Sequence, residues 1–136
     1  MGSVKIKYCV NTKKNKVTAY FSDNSNLKGK ALWRRYLLDI IPKVYELYNS
    51  LIYVEVDKLI DDYLKDVKVT CVVTFNDTDD IETAKTITKE RLIKKYARCE
   101  STVLMFIMKR LHNNVIEVEK RVSHRLSKNQ RKIETN

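Results

Sequence analysis

The chain has 136 residues, 43% of them apolar, enough for one domain with a core of its own. Its 27 Lys and Arg against 17 Asp and Glu leave a formal charge of +10, which favours polyanions or acidic protein surfaces as partners. Two glycines and one proline favour long elements over a sandwich of many short strands and exclude a glycine-rich phosphate loop. The absence of any apolar run near eighteen residues argues against a membrane span.

Met1-Gly2-Ser3 starts like a myristoylation site, but Ile6 stands where Ser or Thr is needed. Val4, Ile6, Tyr8 and Val10 alternate with polar neighbours, the turn formers Asn11 to Asn15 follow, and Val17, Ala19 and Phe21 resume the alternation. This predicts a hairpin whose tip carries Lys13, Lys14 and Lys16, a pattern that also discourages edge pairing. Residues 22–30 read as a mobile loop.

From Ala31 the spacing turns helical, with Leu32, Trp33, Tyr36, Leu37, Ile40 and Ile41 on one side, and Pro42 is expected to kink or restart the helix. Residues 51–56 mix strand-prone residues with a helical stripe (Val44, Leu47, Leu51, Leu59) and are assigned to helix. Asp57 is a plausible N-cap for the piece that follows. Val67 to Phe75 predicts a third strand.

An acidic connector then leads into a long amphipathic helix. Asp79 and Glu82 fit a capping box, and Ile81, Ala84, Ile87, Leu92, Tyr96, Cys99, Val103, Phe106 and Leu111 form its stripe. Val103 to Met108 is apolar on every side, which calls for cover from two directions or a second subunit. Asn113-Asn114 predicts a left-handed terminator, after which Val115, Val118, Val122 and Leu126 outline another helix. The fold class expected is α+β: a small antiparallel sheet, made of the hairpin and a third strand, packed with long helices and closed by a C-terminal helix or helical hairpin. The expected division is a domain over residues 1–113 and a basic tail over 114–136.

No catalytic signature is present. His112 and His124 lie near no activated Ser or Cys motif. Cys9, Cys71 and Cys99 are too far apart for a zinc site and read as buried thiols of a reducing, cytoplasmic compartment. Asp77, Asp79, Asp80 and Glu82 lack the glycine and distal carboxylate of a calcium loop, so capping explains them better and no metal or cofactor is expected. Thr74, Asn76 and Thr78 precede a helix N-terminus, but the aspartates beside them would repel phosphate.

Two cationic surfaces remain. Arg91, Arg98 and Arg110 on the long helix and Arg34 and Arg35 on the earlier one offer paired donors to a phosphate, with Tyr96, Tyr36 and Trp33 available to stack on bases. Between Lys109 and Lys132 stand eight basic residues against Glu117 and Glu119, and Lys120, Arg121, Arg125, Lys128, Arg131 and Lys132 are the candidates for contact with nucleic acid.

The order of parts, with Val10-Asn11 through Val17 in the hairpin and Cys71, Asp77, Asp80, Ala84, Ile87 and Arg91 in the strand, connector and helix, resembles a group of small phage-encoded proteins. That group includes inhibitors of host defence, among them sponges for cyclic-nucleotide signals of the Thoeris system and inhibitors of CRISPR effectors. The resemblance implies a non-enzymatic antagonist acting in the host cytoplasm on a phosphate-bearing nucleotide, on nucleic-acid machinery or on an acidic host protein. The alternatives are a DNA- or RNA-binding protein using the basic C-terminal helix, and a homo-oligomeric assembly protein.

Overall fold

The computed structural model describes residues 4–41, 51–76 and 80–135, with the side chains of 51–53 and 129–135 left aside. Among the described residues a three-stranded antiparallel sheet packs on three helices, so the fold is α+β. Strands β1 (Lys5–Asn11), β2 (Lys16–Ser22) and β3 (Cys71–Thr74) lie in the order β1-β2-β3, and the helices described are α1 (Lys30–Leu38), α2 (Leu51–Lys65) and α3 (Ile81–Thr135).

The hairpin follows directly from its alternation. Ile6 pairs with Phe21, Tyr8 with Ala19 and Val10 with Val17, and these apolar residues turn toward the helices. Asn15 closes the turn with a φ of 51°, a left-handed value that asparagine tolerates better than most residues. The third strand is shorter than predicted, because the backbone only joins β2 from Cys71 onward, pairing Cys71 with Ala19 and Val73 with Val17. Val67 and Val69 still pack on the core from the loop before it.

Helix α1 begins after Gly29, whose φ of 58° suits a residue without a Cβ. Residues 51–56 are helical as expected, but α2 is continuous through Asp57, which is therefore no N-cap. Its carboxylate instead meets Arg34 of α1. The predicted break at Pro42 and the contributions of Val44 and Leu47 lie outside the described residues.

Helix α3 runs 55 residues without interruption, about 80 Å at 1.5 Å per residue. Asn113-Asn114 does not terminate it. Asparagine costs a helix well under 1 kcal/mol relative to alanine, which the turns on either side outweigh. The start also differs from expectation by one residue. Asp80 provides the cap, its Oδ1 accepting the Glu82 N–H at 3.0 Å, whereas Asp79 lies outside the described residues.

The buried line of α3 is Ala84, Thr88, Leu92, Tyr96, Cys99, Val103 and Ile107. Thr88 takes the place predicted for Ile87, since the first steps are of four residues, and the Thr88 hydroxyl is satisfied by the Ala84 carbonyl. The centre of the core is aromatic: the Tyr96 ring lies 5.3 Å from Trp33, 5.5 Å from Phe21 and 6.5 Å from Tyr36. Among the three cysteines, Cys99 is buried and Cys71 half-buried, but Cys9 is exposed because it falls on the outer face of β1.

Candidate polyanion-binding surfaces

The first surface, read from the arginines of two helices, does not come together as a phosphate site. The Arg34 Nε lies 2.5 Å from Asp61 and its Nη2 contacts Asp57, so the guanidinium serves to join α1 to α2. Arg110 is likewise engaged, its Nε and Nη2 donating to the two carboxylate oxygens of Glu55 at 2.8 and 3.0 Å. This contact joins α3 to α2 and holds Arg110 above its usual, already high pKa. Arg35 is exposed and only loosely paired, 3.9 Å from Asp23. Tyr96, Tyr36 and Trp33 are all in the core, so none can stack on a base, and burial pushes the Tyr96 phenol pKa up.

Sequence spacing gave no warning of these pairings. The carboxylates that occupy Arg34 and Arg110 lie 23 to 55 positions away, and only the packing of α2 brings them into reach. Arg91 and Arg98 fare differently. Both are exposed on α3, about two turns apart, and neither forms an ion pair among the described residues.

The second surface is the C-terminal half of α3. Lys120, Arg121, Arg125 and Lys128 are all exposed, and none forms an ion pair among the described residues. Arg131 and Lys132 lie on the same helix. At 100° per residue, Lys120, Arg121 and Lys128 fall on the side of the helix opposite Val115 and Val122, with His124 between them. Glu117 is the one acidic residue within that cationic side, while Glu119 lies toward the apolar one.

Among the described residues, no group of three or more His, Cys, Asp or Glu side chains could hold a metal ion. A shallow hollow at the start of α3, lined by Val73, Thr74, Phe75, Asp80, Thr83, Ala84 and Ile87, offers one charged group, an acidic one. It would disfavour phosphate. No helix among the described residues is long and apolar enough to cross a membrane. Compared with family models, curated proteins and solved structures, the chain matches none.

Proposed function

We propose that the protein is a non-enzymatic nucleic-acid-binding protein whose long basic helix follows a DNA or RNA phosphate backbone. The observation that supports this reading most is the contrast between the two surfaces. Arg34 and Arg110 are engaged by the chain's own carboxylates, whereas Lys120, Arg121, Arg125 and Lys128 stand exposed along one arm. From Leu111 to Thr135 the arm is about 36 Å long, so it spans roughly ten base pairs of a duplex. Cations spread along a rigid helix suit a line of phosphates better than a compact ligand.

The test is a salt titration by fluorescence anisotropy with a labelled oligonucleotide. The logarithm of affinity should fall linearly with the logarithm of salt concentration, with a slope of about −4 if the four described cations each neutralise a duplex phosphate. Combined charge reversal at Lys120, Arg121, Arg125 and Lys128 should remove binding while the helical circular-dichroism signal persists. An unchanged affinity would exclude the arm.

The nucleotide-sequestering role implied by the phage resemblance has one supporting observation, the exposed pair Arg91 and Arg98. In that case Arg91→Glu with Arg98→Glu abolishes capture of a cyclic dinucleotide in isothermal titration and leaves oligonucleotide binding intact.

A further inference from the structure

The arm has a second, apolar face, which shares only Arg125 with the cations proposed to meet phosphate. Leu104, Met108, Leu111, Val115, Val118 and Val122 are separated by steps of 4, 3, 4, 3 and 4 residues, the alternation that places side chains along one seam of a helix. Met108 is 68% exposed, Val115 51%, Val118 56% and Val122 49%, so the body of the protein leaves these four open, whereas Leu104 and Leu111 are half-buried and Leu111 also packs against the core. Val103 and Ile107, which the body does bury, lie about 100° farther round the same helix. The apolar run from Val103 to Met108 thus divides its residues between two faces.

We infer that this seam pairs with a second copy of the chain as an antiparallel two-helix coiled coil. The alternation of three and four is what knobs-into-holes packing between helices requires, and here it is sustained for nearly three heptads. Charge decides the direction. In a parallel pair the next seam position, Arg125, would face Arg125 of the second copy, and the two cationic ends would lie side by side.

In an antiparallel pair centred between Val115 and Val118, each Val115 packs against Val118 of the other copy, Leu111 against Val122, and Met108 against the aliphatic stem of Arg125. The flanking positions then match as well. His112 comes beside Glu119, and Met105, which is 63% exposed, beside Leu126, also 63% exposed. Opposed helix dipoles add to the preference. Lys120, Arg121 and Lys128 of both arms remain outward. A membrane surface is the weaker occupant, because the seam has no Trp or Tyr to anchor at a headgroup layer.

The test uses the full chain and reads mass rather than binding, so it stands or falls apart from the proposed function. Sedimentation equilibrium should give twice the 16.1 kDa chain mass, falling to one chain mass in Val118→Asp with the circular-dichroism spectrum of the body retained. Direction is read in a Cys9→Ser background, which removes the exposed thiol. A mixture of Met105→Cys and Leu126→Cys copies should oxidise to a mixed disulfide dimer, while neither alone crosslinks. A single-chain mass at every concentration overturns the inference, as does self-crosslinking of Met105→Cys alone. So does a chain that is monomeric in water but partitions onto vesicles of anionic phospholipid through this seam.

Discussion

Arg110 and Glu55 meet in a two-pronged contact at 2.8 and 3.0 Å that fastens α3 to α2 at the root of the basic arm. One guanidinium adjacent to Lys109 is thereby withdrawn from the cationic surface. Replacing Glu55 by Gln keeps the size of the side chain and releases that charge. Affinity for an oligonucleotide at fixed salt should rise, and the salt slope should steepen by about one. A slope identical to that of the unmodified chain would mean that Arg110 lies outside the contact.

The loop after the hairpin was expected to be mobile, yet Asp23 ties it to α1. The Tyr36 hydroxyl donates to Asp23 Oδ2 at 2.7 Å, and the Ser25 N–H donates to Oδ1 at 2.8 Å. The hydrogen bonds from Ser25 and Tyr36 hold the Asp23 carboxyl below its ordinary 3.8. Since the folded value lies below the unfolded one, this stabilisation is complete above about pH 3.8 and is lost as pH falls through the lower folded value. Asp23→Asn should therefore flatten the acid limb of a pH-stability curve measured by urea unfolding.

Tyr96 gives the opposite sign at the opposite end of the pH scale. Burial raises its pKa, and among the described residues its hydroxyl has no hydrogen-bond partner. Because the unfolded phenol ionises near 10, before the folded one, stability falls as pH rises above that value. Tyr96→Phe removes both the ionisation and an unsatisfied polar atom. Stability at neutral pH should stay level or rise by about 1 kcal/mol, and the alkaline midpoint should move upward. Tyr36→Phe, which breaks a made hydrogen bond, should instead lower the melting temperature.

The phase of α3 is tested by neighbouring residues. Leu92 is fully buried and Ile93 is 46% exposed. Leu92→Ala should cost about 2 to 5 kcal/mol through lost burial and the cavity left behind, against roughly 0.5 kcal/mol or less for Ile93→Ala, in chemical denaturation. Comparable losses at both positions would displace the helix from the face described.

What the sequence made legible was periodic. The alternation of Ile6, Tyr8 and Val10 and the stripe through Leu92, Tyr96 and Cys99 each repeat a local spacing, and local spacing determines which face of a strand or helix is apolar. Thr88 rather than Ile87 is buried because the Thr88 hydroxyl is satisfied within its own helix, which spacing by hydrophobicity does not reveal. The cationic site was partly illegible for a different reason. Whether Arg34 and Arg110 are available depends on Asp57, Asp61 and Glu55, carboxylates supplied by a separate helix.

The continuity of α3 through Asn113-Asn114 determines whether the arm is a rigid extension of the body, and alanine substitution tests it. Residues inside a helix benefit from alanine, which loses the least freedom there; each Asn→Ala change should add about 0.5 kcal/mol, and the pair should raise both the melting temperature and the helical signal at 222 nm. A left-handed terminator behaves in reverse, because a Cβ without the asparagine side chain's local hydrogen bonds is penalised there by about 1 to 2 kcal/mol. Asn113→Gly with Asn114→Gly introduces a hinge in the continuous helix. It should shorten the maximum dimension in solution scattering and weaken oligonucleotide binding, since cations on a bent arm no longer line up with successive phosphates. Equal dimensions for the alanine and glycine pairs would mean that the arm is already jointed at these two residues.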